Sequence, residues 1–84
     1  MGRNVVLYAL STCAHCRKTR GLLESILGEA GFQTHYVDRL SGDERNDRMR
    51  ELRRVNPELS FPTTVIDGAT VVGAREARIR ELLA

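Results

Sequence analysis

Residues 11–16 read Ser-Thr-Cys-Ala-His-Cys and contain both cysteines of the 84-residue chain. A strand-like apolar run (Val5–Ala9) precedes this segment, and a helix-like run (Arg17–Leu27) follows it. Cys13 is therefore expected at a helix N-terminus, where unpaired backbone N–H groups and the helix dipole stabilise an anion such as a thiolate. If Cys16 lies in the first turn of that helix, its sulfur comes close enough to Cys13 to form a disulfide.

Length and composition indicate one small domain over residues 1–84. Hydrophobic residues make up 42% and charged residues 29%, a mixture typical of soluble globular chains, and no apolar run approaches the length of a membrane span. The N-terminus leads directly into the first strand, which leaves no room for an export signal. We therefore expect a cytoplasmic protein without membrane association, in which a close CxxC pair indicates redox or metal chemistry.

The charge pattern argues against a nucleic-acid partner. The formal net charge is only +2, from 13 Lys and Arg against 11 Asp and Glu. In the most charged stretch, residues 43–54, arginines alternate with acidic residues, which is typical of a solvated helix face. Aromatic residues that could stack on bases make up only 5% of the chain.

The remaining patterns predict the element order β-α-β-α-β-β-α. A helix that begins near Ser41 or Asp43 should end at Asn56-Pro57, because the residue before proline is pushed away from helical angles. Asp67-Gly68 is a strong hairpin signal between two β-branched runs. The predicted strands are 4–10, 32–38, 63–66 and 69–72, and the predicted helices are 17–27, 43–55 and 74–83.

These elements predict an α/β fold with a four-stranded mixed sheet and helices on both faces. The first βαβ unit should be parallel and right-handed, and the hairpin adds two antiparallel strands. We expect the first strand in the interior, flanked by the second strand and by the strand that follows Pro62.

The chain resembles a glutaredoxin, a small member of the thioredoxin superfamily, over essentially its whole length. Four features carry the resemblance: the strand before the CxxC, the helix after it, the segment Ser60–Thr63 and the turn at Val72-Gly73. The resemblance implies a thioredoxin fold with three flanking helices. A thioredoxin in the narrow sense would have Trp and a buried acid where this chain has Thr12 and Leu7.

The resemblance implies a dithiol disulfide oxidoreductase in which Cys13 is the nucleophile and Cys16 resolves the mixed disulfide. The position of Cys13 at an exposed helix end, with Cys16 one turn deeper, agrees with these roles. His15 lies between the cysteines, and a partly protonated imidazole there would stabilise the Cys13 thiolate and make the couple more oxidising. An exposed histidine with little effect is the alternative for His15.

The resemblance also implies a substrate groove. Pro62 would follow a cis peptide bond and Phe61 would form a bulky groove floor with its backbone facing the substrate. Without the resemblance, an ordinary trans proline at an edge strand is the alternative for Pro62. The predicted substrate-binding residues are Thr12, Arg17, Phe61, Pro62, Gly73 and Ala74.

The expected partners are protein disulfides, with glutathione as a possible ligand and no bound cofactor. The electron donor would be glutathione or thioredoxin reductase. The turn that holds glutathione in the family has an acidic or hydroxyl residue after its glycine, but here Ala74 and Arg75 follow Gly73. This departure favours redoxins that are reduced by thioredoxin reductase, and we expect a monomer.

The CxxC pair also has two metal-based alternatives. Some glutaredoxins carry an iron–sulfur cluster bridged between two copies through the residue equivalent to Cys13, although that class generally lacks a second functional cysteine such as Cys16. A zinc site built from Cys13, Cys16, His15 or His35 fails on geometry, because His15 is too close to Cys13 and His35 lies on another strand. His35 is instead expected at the surface of the second strand.

Overall fold

The computed structural model describes residues 3–84, so Met1 and Gly2 of the predicted domain lie outside the described residues. A four-stranded mixed sheet is formed by β1 (Val5–Ala9), β2 (Gln33–Tyr36), β3 (Thr63–Ile66) and β4 (Ala69–Val72), in the spatial order β2-β1-β3-β4. Strand β1 pairs in parallel with β2 and antiparallel with β3, which also pairs antiparallel with β4. The predicted fold class and the interior position of β1 are confirmed.

Three helices complete the predicted order: α1 (Ala14–Leu27), α2 (Gly42–Val55) and α3 (Glu76–Leu83). Helix α1 ends at Gly28, whose φ of 78° lies in the left-handed region that favours glycine. Helix α2 ends before Asn56, as the following proline predicts. Ser41 occupies the N-cap of α2, but its side chain makes no capping hydrogen bond.

Three predicted elements are longer than the observed ones. Strand β1 covers Val5–Ala9 instead of residues 4–10. The second strand stops at Tyr36, because Val37–Arg39 forms a short 3₁₀ turn in which the Val37 side chain is buried. Helix α3 starts at Glu76 instead of residue 74, because the chain after β4 first passes through a turn in which Gly73 has a φ of 87°.

Alternate residues of β1 face two different layers, as the two-residue period of a strand requires. Leu7 lies in a buried cluster with Leu23 of α1 and Ile79 of α3. On the opposite face, the Tyr8 hydroxyl donates a 3.0 Å hydrogen bond to Glu51 of α2. The central strand is therefore covered on both faces, which explains why nearly every position of it is apolar.

His35 lies on the second strand, as predicted, but its side chain is less exposed than that of a typical surface residue. His35 is half-buried, and its ring centroid lies 5.6 Å from that of Tyr8, its register partner on β1. Burial lowers the pKa of His35, with a smaller contribution in the same direction from Arg48. The alternation of strand β2 turns this side chain toward helix α2, whose Arg48, Glu51 and Glu44 act on its pKa.

No helix within residues 3–84 is long and apolar enough to cross a membrane.

Candidate active site

Cys13 is the N-cap of helix α1, with extended backbone angles of −92° and 120°. Its Sγ accepts a 3.2 Å hydrogen bond from the backbone N–H of Cys16, three residues later. In this geometry the sulfur takes the place that a serine or aspartate oxygen occupies at an ordinary N-cap. The sequence therefore places an acceptor sulfur where the helix presents its unpaired donors.

The surroundings of Cys13 favour its thiolate. Its pKa is lowered chiefly by the hydrogen bond from the Cys16 side chain, against a smaller opposing effect of desolvation. The backbone N–H groups of Cys16 and His15 lower this pKa further, and the charge of Arg17 adds to the effect. Since Cys13 is also partly exposed, it combines thiolate character with access, as a nucleophilic cysteine must.

Cys16 has the opposite environment. Its side chain is 1% exposed and belongs to the buried cluster with Leu7 and Leu23. Desolvation, followed by the hydrogen bond to Cys13, raises the pKa of Cys16 to about 12. Both cysteines are free thiols, so the structure describes the reduced form of the pair.

The loop before β3 packs against the same buried cluster as the CxxC segment. Phe61 and Cys13 both pack against the buried cluster that contains Cys16, and the Phe61–Pro62 peptide bond is cis, as predicted. The backbone N–H of Gly73 donates a 2.8 Å hydrogen bond to the carbonyl of Pro62. Gly73 thus links the end of β4 to the proline loop.

The other predicted site residues lie around this centre. Thr12 and His15 are exposed on either side of Cys13. Ala74 borders a small cleft together with Ile79 of α3 and residues of α1. Arg17 is exposed and lines a separate cavity that also involves Tyr36 of β2, so it is not grouped with Phe61 and Gly73.

Asn56 is a supporting residue that the sequence analysis missed. It is 2% exposed, and its amide donates 3.0 Å hydrogen bonds to the hydroxyls of Ser60 and Thr63. Its side-chain oxygen accepts a hydrogen bond from the backbone N–H of Glu58. These bonds hold the loop from helix α2 to the cis proline, and an asparagine directly before a proline was the available signal.

Asp38 is a second residue that the sequence analysis missed. Its carboxylate accepts hydrogen bonds from both the backbone N–H and the hydroxyl of Ser11, two residues before Cys13. These bonds lower the pKa of Asp38. In sequence, Asp38 looked only like the last polar residue of a strand.

Within residues 3–84, no group of three or more His, Cys, Asp or Glu side chains is arranged to hold a metal ion. The iron–sulfur alternative, which requires two copies of the chain, stays a prediction.

Comparison with known proteins shows which family the chain resembles. The sequence model of the glutaredoxin family matches residues 5–71. The structure is similar to that of methanoredoxin from Methanosarcina acetivorans, with a TM-score of 0.88 and 40% identity over 96% of this chain and 84% of that chain. It is also similar to a glutaredoxin from Methanosarcina mazei Go1, with a TM-score of 0.82 and 44% identity over 96% of this chain and 78% of that one. A glutaredoxin-like 8.6 kDa protein from the rubredoxin operon of Clostridium pasteurianum is 29% identical over 79 residues, which are 94% of this chain and 96% of that protein.

Proposed function

The chain belongs to the glutaredoxin family, and we propose that it reduces protein disulfides or glutathione mixed disulfides through Cys13 and Cys16. The family and the fold support thiol-disulfide oxidoreductase chemistry in general. The observation that carries the specific proposal is the pairing of a partly exposed Cys13, whose pKa is lowered at a helix N-terminus, with a buried Cys16 beside it.

In the first step, the Cys13 thiolate attacks one sulfur of the substrate disulfide. A Cys13–substrate disulfide forms, the substrate S–S bond breaks, and the second substrate sulfur leaves as a thiolate that takes up a proton from solvent. The hydrogen bonds to Cys13 lower its pKa and so increase the fraction of the protein that carries the attacking thiolate.

In the second step, Cys16 loses its proton and attacks Sγ of Cys13. The mixed disulfide breaks, the substrate leaves as a thiol, and a Cys13–Cys16 disulfide remains, so two electrons have passed from protein to substrate. Burial is the largest cause of the high pKa of Cys16, and both the hydrogen bond to Cys13 and the charge of Cys13 raise it further. A Cys13 engaged in a mixed disulfide carries no charge, so we expect the pKa of Cys16 to fall when its thiolate is needed.

The oxidised pair must be reduced again by an external dithiol or by glutathione. We favour thioredoxin reductase as the electron donor, because the turn at Gly73 continues with Ala74 and Arg75 and lacks the acidic or hydroxyl residue that holds glutathione in the family. Thr12, Phe61, Pro62 and Gly73 are proposed to contact the substrate around Cys13.

Coupled NADPH oxidation with a protein disulfide substrate tests this proposal. Thioredoxin reductase is supplied in one arm, and glutathione with glutathione reductase in the other. We expect activity in the first arm, no activity for Cys13→Ser, and accumulation of a Cys13–substrate disulfide for Cys16→Ser. Activity that survives Cys13→Ser overturns the proposal, and a visible absorption band after anaerobic purification supports the iron–sulfur alternative.

A further inference from the structure

A cavity of about 350 Å³ lies beside the active-site loop, between the first turns of helix α1 and the end of strand β2. Neither Phe61 nor Gly73 contributes to it, so it is distinct from the proposed substrate groove. Its lining residues are Ser11, Arg17, Arg20, Gly21, Glu24, Tyr36 and Arg39.

The residues that line this cavity carry more positive than negative charge, although the Asp38 carboxylate lies nearby, bonded to Ser11 and influenced by Arg39. Three arginines line it but only one carboxylate, Glu24, which pairs with Arg20 at 2.5 Å. Among the described residues, Arg17 and Arg39 form no ion pair within 4.0 Å. In addition, the Nε of Arg20 is buried without a hydrogen-bond partner. A buried donor without a partner costs free energy, which an incoming acceptor would recover.

The arginine at the far side of the cavity is held by an aromatic ring. The guanidinium carbon of Arg39 lies 5.7 Å from the centroid of the Tyr36 ring, a cation–π distance. The ring restricts the Arg39 side chain before any ligand binds. Arg39 therefore loses less conformational entropy when its N–H donors pair with a carboxylate. The cavity therefore suits a carboxylate better than any neutral or cationic group.

Two residues that line the cavity are close in sequence to the active-site cysteines, so the cavity lies near Cys13. Ser11 lies two residues before Cys13, a span of at most about 7 Å, and Arg17 directly follows Cys16. A polypeptide whose disulfide is attacked by Cys13 can thus reach the cavity with a side chain a few residues from its own cysteine.

We propose that this arginine-lined cavity binds Asp or Glu side chains that flank the disulfide of a protein partner, so that the protein selects disulfides in acidic surroundings. This inference rests on the proposed function, because it concerns the partner whose disulfide Cys13 attacks. In the step that is tested, the Cys13 thiolate attacks the sulfur of the peptide cysteine, so that a Cys13–peptide disulfide forms and the bond to the thiopyridine sulfur breaks. Pyridine-2-thiolate leaves and takes up a proton from solvent to give pyridine-2-thione.

The test uses two synthetic peptides that differ only in charge. Each carries one cysteine as a mixed disulfide with 2-thiopyridine, and two Glu residues within a few positions of the cysteine are replaced by Gln in the second peptide. Release of pyridine-2-thione from the reduced protein gives the second-order rate constant. For the wild type at low salt we expect the Glu peptide to react about tenfold faster, as two partly exposed ion pairs allow, and the ratio to fall as salt is added.

Arginine variants test whether the cavity causes the difference between the two rate constants. Arg17→Gln/Arg39→Gln should bring the ratio of the two rate constants close to one, and using the ratio cancels any change in the reactivity of Cys13 itself. The matched control is Arg53→Gln/Arg54→Gln, which removes the same charge from exposed positions at the end of α2 and should keep most of the ratio.

The outcomes separate this inference from the proposed function. If the wild type reacts equally fast with both peptides, or if the two double variants lower the ratio equally, the cavity does not select acidic partners. If the reduced wild type releases pyridine-2-thione from neither peptide faster than a free thiol does, the proposed function itself fails.

Discussion

Asp38 accepts a 3.0 Å hydrogen bond from the backbone N–H of Ser11 and a second one from its hydroxyl, and so ties the end of the β2 segment to the loop that carries Cys13. These bonds stabilise the charged carboxylate and lower the pKa of Asp38. That charge makes a small contribution to the raised pKa of Cys16, after burial and the interactions with Cys13. The interactions of Asp38 therefore affect both the position of the loop and the pKa of Cys16.

Asp38→Asn should accelerate the resolving step. Loss of the negative charge lowers the pKa of Cys16, and since a less basic thiolate is also less nucleophilic, we expect a gain of only about two- to threefold at neutral pH. Stopped-flow measurement of peptide release from the Cys13–peptide disulfide gives the rate constant. Ser11→Ala is the control, because it removes one hydrogen bond and retains the charge; an equal acceleration in this variant would contradict the electrostatic explanation.

His15 offers a test of how the thiolate is stabilised. Its side chain is exposed, and its backbone N–H contributes to lowering the pKa of Cys13. We expect His15→Pro, which removes that N–H, to raise the pKa of Cys13 more than His15→Ala does. The pH dependence of iodoacetamide alkylation in a Cys16→Ser background measures this difference.

The hypothesis from the sequence, that the imidazole of His15 makes the couple more oxidising, stays a prediction that the same two variants test. If His15→Ala raises the pKa of Cys13 and lowers the reduction potential as strongly as His15→Pro does, the imidazole dominates over the backbone N–H.

His35 should make the protein less stable in mild acid. Burial and Arg48 hold its pKa below the value of about 6.5 expected in the unfolded chain, while Glu51 and Glu44 oppose this shift. As the pH falls through about 6.5, the unfolded chain binds the proton before the folded protein does, so the free energy of unfolding decreases. In urea denaturation at several pH values, His35→Gln should lose less stability between pH 7 and pH 5 than the wild type. An identical loss in both proteins would exclude His35 as the source.

Gly73 should resist substitution for conformational reasons. A Cβ at this position meets no atom within 4 Å, but the φ of 87° is one that other residues rarely adopt. We expect Gly73→Ala to lower the free energy of unfolding by about 1–2 kcal/mol and to disturb the hydrogen bond to the carbonyl of Pro62. Urea denaturation measures the change in the free energy of unfolding. The rate of disulfide reduction shows whether the disturbed hydrogen bond affects the site.

Gly21 provides the matched control for this substitution. It lies inside helix α1, also has nothing within 4 Å of an added Cβ, and has no positive φ. Gly21→Ala should therefore raise the free energy of unfolding by up to about 1 kcal/mol. A destabilisation of similar size at both positions would contradict the conformational explanation.

Local sequence patterns were sufficient to predict the element order, the helix that begins after Cys13 and the hairpin at Asp67-Gly68. In the structure, Asp67 and Gly68 have φ values of 48° and 89°. Each of these features depends on backbone preferences and on apolar spacing within a few residues, which a sequence displays directly. The resemblance to a known family added the cis bond before Pro62, which residue preferences alone did not favour.

The contacts between segments that are distant in sequence could not be predicted from local sequence patterns. The packing of His35 on Tyr8, the bonds of Asp38 to Ser11 and the cluster of Arg17 with Arg39 join residues separated by about twenty to thirty positions in the chain. Whether such side chains meet depends on strand register and on the angle at which a helix crosses the sheet, because a shift of one residue turns every side chain of a strand to the other face. One short segment of the chain thus encodes a thiol at a helix N-terminus, whereas the raised pKa of Cys16 and the arginine cluster beside Ser11 depend on how distant segments pack.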